Sequence, residues 1–146
     1  MPADIQYVLA FAFDDLGRVA LIRKRRPQWQ SGRLNGIGGK VEGSEPLVLA
    51  MSREFYEETG VQIEPEKWRA VGVMGKASWV VHVFTTTCEA VRMARTSTDE
   101  QVNLFVRSSM HLWRHQCIEN VPTLIELCTL PPQDPGDRGP FFKLYY

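Results

Sequence analysis

The 146-residue sequence predicts an α/β fold of the α+β type, a mixed β-sheet covered by helices. Three observations predict it. Apolar strand-like runs come first, then a helical segment, then more strands and a last helix. The first helical segment follows a glycine-rich stretch and ends at a glycine. Neither an internal repeat nor a low-complexity tract divides the chain, so residues 1-146 are expected to form one domain.

The elements follow in order. Tyr7–Phe13 is rich in aromatic and aliphatic residues and reads as a strand. Asp14-Asp15-Leu16-Gly17 is a turn signal, and Arg18–Arg23 returns as the second arm of a hairpin. Arg25–Gly32 contains Pro27 and Gly32 and reads as a loop. Leu34–Glu42 is too dense in glycine for a long helix. Pro46–Thr59 reads as a helix, with Pro46 in the first turn, Ser44 and Glu45 as caps, and Gly60 as the left-handed C-terminal stop. Strands are expected over Trp68–Val73, Val80–Thr87 and Val102–Val106, with a polar loop at Glu89–Thr98. Val121–Leu130 reads as a helix stopped by Pro131-Pro132. Gln133–Pro140 is a Pro/Gly/Asp loop, and Phe141–Tyr146 is either a last strand or a packed tail.

Composition narrows the function. Hydrophobic residues make up 44% and charged residues 23%, as in a soluble globular domain. Seventeen basic and 17 acidic residues cancel, which argues against a nucleic-acid polymer as partner. The start has no basic or apolar leader, and no run is apolar enough to span a bilayer, so no membrane is expected. Cys88, Cys117 and Cys128 are odd in number and widely spaced, which argues against disulfides or zinc and suggests a cytoplasmic location. His82, His111 and His115 have no metal-ligand spacing.

The chemistry concentrates in Arg53-Glu54-Phe55-Tyr56-Glu57-Glu58. Residues three and four apart share a helix face. Glu54, Glu57 and Glu58 therefore fall on the side of Leu47, Ala50 and Met51, the apolar stripe. Like charges beside a core repel and lose hydration, so a positive partner is expected. A hard divalent cation, Mg²⁺ or Mn²⁺, suits oxygen ligands. The bland alternative is a solvated acidic helix end with Arg53 pairing Glu57. In either reading Arg53 can orient a carboxylate.

Before the helix, Asn35-Gly36-Ile37-Gly38-Gly39-Lys40-Val41-Glu42-Gly43 lets backbone approach a ligand closely. A carbonyl there can join the acids on a metal, and Lys40 can reach a phosphate or pair with an acid. The run fits neither the P-loop nor the dinucleotide fingerprint.

Taken together, Gly39–Val61 resembles the Nudix box, G-x5-E-x7-R-E-hydrophobic-x-E-E-x-G-hydrophobic. Gly39, Glu45, Arg53, Glu54, Glu57, Glu58, Gly60 and Val61 stand at its specified positions. The resemblance implies an α/β/α sandwich with a mixed sheet and Mg²⁺- or Mn²⁺-dependent hydrolysis of a diphosphate linkage in a small nucleotide. It implies metal ligands at Glu54, Glu57 and Glu58, helped by a carbonyl of Gly38 or Gly39. Glu45 and Arg53 would hold the loop against the helix, and Glu54 would act on the attacking water. Glu100 is similar to an acid outside the box that joins the metal site, or else is an exposed loop acid.

Arg33–Val41 resembles the corresponding segment of enzymes that remove oxidised purine triphosphates, where the equivalent of Asn35 contacts the base; Leu34 departs from the aromatic of animal members. The substrate-binding residues implied are Arg25, Trp29, Asn35, Gly38, Gly39, Lys40 and Asn120. Asn35 and Asn120 are otherwise turn or cap residues, and Trp29 is otherwise core. The run Arg23-Lys24-Arg25-Arg26 either receives phosphates or is a solvated strand end. A nucleoside triphosphate, such as 8-oxo-dGTP, cut to monophosphate and pyrophosphate is expected. ADP-ribose hydrolysis and a non-catalytic nucleotide sensor are the alternatives. Monomer and homodimer both remain open.

Overall fold

A computed structural model describes residues 5–131 and 141–146. Strand β1 (Ile5–Phe13) pairs in parallel with β6 (Trp79–Thr87), from Ile5↔Trp79 to Phe13↔Thr87. Its other edge takes β4 (Ile37–Lys40) antiparallel, with Val8↔Gly39 and Leu9↔Gly38. β2 (Arg18–Arg23) returns from the Asp14 turn and pairs with β3 (Leu34–Asn35) and β7 (Gln101–Val106). β5 (Arg69–Lys76) forms a hairpin with β6 and takes β8 (Phe142–Tyr145) in parallel on its outer side. The eight strands make one mixed sheet.

Alternation along β1 explains why that strand is apolar throughout. Val8, Ala10 and Ala12 face one core, with Ala50, Met51 and Phe55 of α1 (Leu47–Thr59). Leu9, Phe11 and Phe13 face the other, with Leu124 and Ile125 of α3 (Val121–Cys128). A strand buried on both faces loses the apolar–polar alternation of a half-exposed one. The expected α/β/α sandwich is therefore present, with the short helix α2 (Met110–Trp113) leading into the α3 side.

Several predicted boundaries shift. The stretch Leu34–Glu42 holds β3 and β4, because backbone pairing to β2 and β1 supplies what glycine lacks in propensity. Short 3₁₀ turns form at Gln28–Gln30 and Glu89–Met93, inside segments read as loops. Ser44 and Glu45 do not cap α1 with their side chains. Glu45 instead accepts from the Glu42 amide at 2.9 Å and from Arg53. Pro46 stands one position before the helix, and Gly60 closes it at φ 74 with its amide on Tyr56 O. The expected loop Gln133–Pro140 lies outside the described residues.

Tertiary bonds then set the position of α1. Ser52 Oγ donates to Ile63 O at 2.6 Å and accepts from Trp68 Nε1 at 2.9 Å. Phe55, fully buried, meets Trp68 edge-on. All three cysteines are free. Among the described residues, no helix is long and apolar enough to cross a membrane.

Candidate active site

α1 and β4 hold the acidic segment against the glycine turn. Gly39 Cα faces the Glu54 carboxyl so closely that a Cβ there would lie 2.4 Å from Glu54 Oε2. A methyl group there fits only if the Glu54 carboxyl, the end of a flexible side chain, moves aside. Gly39→Ala is accordingly expected to displace Glu54 and lower kcat by about tenfold or more, with stability changed by less than about 1 kcal/mol. Steady-state kinetics and a denaturant melt check this, and unchanged kcat would separate Glu54 from the chemistry.

The three glutamates are not equivalent. The Glu54 side chain is 12% exposed and the Glu57 side chain 52%. Glu58 is half-buried, and among the described residues its Oε2 is buried without a hydrogen-bond partner. The expectation that all three turn inward is thus corrected for Glu57, which sits at the rim of the apolar stripe. As the side chains stand, no trio of His, Cys, Asp or Glu converges among the described residues.

Arg53 gathers the acids instead. Its Nη2 and Nε fork onto Glu45 at 2.6 and 3.2 Å. Nη1 reaches Glu54 at 2.9 Å and Glu57 at 3.4 Å, and Nη2 also donates to Lys40 O at 3.1 Å. The Glu45 hydrogen bond is the main cause raising the guanidinium further above its ordinary value, and Arg53 in turn lowers the Glu45 carboxyl. The predicted Arg53–Glu57 pair exists, but it is the longer contact.

Burial raises Glu54 above the usual carboxylate range, against the pull of Arg53. Burial likewise pushes Glu58 up to about 8, with Lys24 opposing and Glu54, Glu100 and Glu57 adding to the rise. The unfolded chain titrates near 4.5. Between these values the native state holds a proton that the unfolded state has lost, so stability falls as pH rises across that window. Glu54 contributes with the same sign, so Glu58→Gln isolates the Glu58 share. In EDTA, the variant should gain stability over the wild type progressively from about pH 5 to about pH 8. A pH-independent difference between their denaturant midpoints would rule this out.

Glu100 is 5% exposed, not the exposed loop acid the sequence allowed. It accepts from Lys24 Nζ at 2.9 Å and from the Arg25 amide at 2.6 Å. Burial raises its carboxyl, but these two bonds outweigh burial and leave it lowered. The basic run is also not a bare solvated end. Arg23 bonds Gly32 O and Gln116 Oε1, and Arg26 pairs with Asp99. Arg25 keeps its side chain 64% exposed near Asp99. Lys24, read from the sequence only as one of the basic run, meets Glu100 because the fold brings the approach to β7 beside it, far along the chain.

The remaining predicted residues fall in different places. Lys40 ends β4 and is exposed. Gly38 lies against the Val8–Leu9 backbone. Trp29 is 67% exposed on the Gln28–Gln30 turn, which corrects the core reading for it. Asn35 sits in β3 rather than in a turn, and its Oδ1 accepts from the Gly36 amide at 2.8 Å. Asn120 precedes α3 without capping it, and its amide lies 3.5 Å from Met74 Sδ. Leu34 joins this region to the last helix, since Ile118 donates its amide to Leu34 O at 3.0 Å.

This arrangement of acids, guanidinium and glycine turn coincides with a family match. The NUDIX domain model matches residues 5–115, and the chain belongs to the Nudix family. It is a hydrolase of that family, with nucleotide derivatives as its substrate class. No curated protein matches it. Solved structures share the fold. One, from a study of MutT from Aliivibrio salmonicida and Vibrio cholerae, is 19% identical with a TM-score of 0.66, covering 87% of this chain and 98% of its own. A MutT NUDIX hydrolase from Burkholderia pseudomallei is 22% identical with a TM-score of 0.66, covering 86% and 98%. A bifunctional NMN adenylyltransferase/ADP ribose pyrophosphatase from Francisella tularensis, complexed with AMP and a Mn ion, is 15% identical with a TM-score of 0.70. The match covers 87% of this chain and 41% of that larger protein.

Proposed function

We propose that this protein hydrolyses a purine nucleoside triphosphate, of the oxidised or modified 8-oxo-dGTP type, to the monophosphate and pyrophosphate. The observation that carries the reading is Glu58 Oε2, buried without a hydrogen-bond partner among the described residues and within charge range of Glu54, Lys24 and Glu100. A buried carboxylate oxygen with no donor fits a hard cation, and the absence of a Cβ at Gly39 lets the Glu54 carboxyl lie against the glycine backbone whose carbonyl would join it. Glu54, Glu57 and Glu58 would hold Mg²⁺ or Mn²⁺, with a carbonyl of Gly38 or Gly39. Glu100 would join through the lone pairs its two hydrogen bonds leave free. When bound, the cation supplies charge neutralisation on the phosphate oxygens and a more acidic water.

The chain's own groups do the rest. Glu54, its carboxyl raised by burial and steered by Arg53, accepts the proton of the attacking water. The water oxygen bonds to one phosphorus of the α–β anhydride as the bridging P–O bond breaks, and the electron pair stays on the bridging oxygen, which leaves as part of the other product, pyrophosphate or nucleoside monophosphate. Lys24, Arg25 and Lys40 offer positive charge to a chain of phosphates. Within the run 23–26, Lys24 pairs with Glu100 while Arg25 keeps an exposed side chain, so Arg25 is the cation most open to a phosphate. Asn35 and Asn120 would contact the base, and Trp29 offers an exposed ring for stacking.

The deciding experiment incubates the protein with nucleoside triphosphates, nucleoside diphosphates, ADP-ribose and sugar nucleotides, with Mg²⁺ or Mn²⁺, and identifies products by mass. Monophosphate plus pyrophosphate from a purine triphosphate is expected. AMP plus ribose phosphate from ADP-ribose as the dominant reaction would replace the substrate assignment.

A further inference from the structure

We infer that the protein carries a second site, for a small anion, at the end of the sheet away from the glutamates. It is built on Arg69 and suits the phosphate or carboxylate group of a small molecule. A cavity of about 480 Å³ opens there, where the start of β5, the end of β6 and the end of α3 meet. Its place follows from the register of β1. Gly39, against Glu54, pairs with Val8, whereas Thr87 pairs with Phe13. At about 3.3 Å per strand residue, the step from Val8 to Phe13 puts the cavity roughly 16 Å further along the sheet.

Arg69 supplies the first reason for an anion. It pairs across the strands with Thr85, and its Nη2 donates to Cys128 O at 2.9 Å. Among the described residues its Nη1 is buried without a hydrogen-bond partner. A guanidinium nitrogen removed from water and given no acceptor is costly, and native chains seldom leave one so. An oxyanion in the cavity supplies that acceptor, with the side chain turning slightly on its Nη2 anchor. The bond is charge-assisted and so stronger than a neutral one.

The rest of the lining agrees in sign. Lys67 Nζ pairs with Glu64 at 2.9 Å, but both side chains are more than half exposed, and an ammonium has further donors to offer. Thr86 and Thr87 bring hydroxyls from β6, while Thr85 spends its own on Phe11 O at 2.7 Å. Among the described residues no carboxylate lines the cavity. Burial pushes the Cys128 thiol up to about 12, so no thiolate stands there to repel an anion.

The test follows the backbone amide signals of the metal-free protein by NMR, in a non-phosphate buffer, as inorganic phosphate or, separately, citrate is added. Saturable shifts are expected at Arg69, Thr86 and Thr87. Lys67→Glu should weaken binding by about tenfold or more, because it turns attraction into repulsion. The Lys67 side chain is 51% exposed, so this variant keeps the fold. Arg69→Met should abolish binding, and Arg69→Lys should restore part of it. Saturable shifts with citrate alone keep the site and assign it a carboxylate. Absence of saturable shifts at these positions with both anions would overturn the inference. So would shifts confined to Lys24, Arg25 and Lys40, or an affinity unchanged in Lys67→Glu. That last variant carries the decision where Arg69→Met fails to fold.

Discussion

Glu57→Gln is expected to reduce kcat by on the order of 10³-fold while leaving the fold intact. The two halves of that statement come from one number. The Glu57 side chain is 52% exposed, so removing its charge forfeits no buried contact. Its link to Arg53 is the longest of the Arg53–glutamate hydrogen bonds, at 3.4 Å. Exposed pairs of that kind contribute at most about 1 kcal/mol. The charge matters only when a cation and a polyphosphate are present. A glutamine keeps the shape and loses the charge, so the deficit should appear in turnover and in the Mg²⁺ concentration needed for half-maximal rate. Thermal melts of the metal-free variant should match the wild type. Wild-type turnover in Glu57→Gln would remove this residue from the site, and with it the reading of the acidic face as a metal-holding surface.

Arg53→Ala should cost about 2–4 kcal/mol of stability and about 10²-fold or more in activity. Arg53 is the positive centre for Glu45, Glu54, Glu57 and, at 3.6 Å, Glu42. Its side chain is 23% exposed, which places the cost below that of breaking a fully buried ion pair. Removal leaves Glu54 and Glu45 without their shared cation and frees the loop at Lys40 O. Arg53→Lys should restore only part, because a single ammonium cannot fork onto Glu45 while reaching Glu54. Urea denaturation measures the first effect, and Mg²⁺ should recover some stability in the variant by replacing the lost positive charge. A stability loss under about 0.5 kcal/mol would mean the network holds the loop through its backbone pairing alone.

Much of the architecture was legible because it depends on local signals. Gly60 stops α1 where a left-handed cap was expected, and the Asp14–Gly17 turn returns the chain as predicted. Glu54 and Glu58 were legible as inward-facing from their spacing to Ala50 and Met51 on one helix. Trp29 was not, because an aromatic in a loop carries no periodicity to say which way it points. Glu45 was misread as a cap because Arg53, eight residues on, competes for its carboxylate.

By itself the sequence determined the family, the helix that carries the acids and the glycine turn against it. Those features are encoded by residues within a short stretch, where helix geometry converts spacing directly into direction. Tertiary structure alone decided that Lys24 and the Arg25 amide cover Glu100 across 76 and 75 residues of chain, and that Glu58 Oε2 is buried without a hydrogen-bond partner among the described residues. Burial and long-range pairing set those charges, and neither has a period that can be read along a chain.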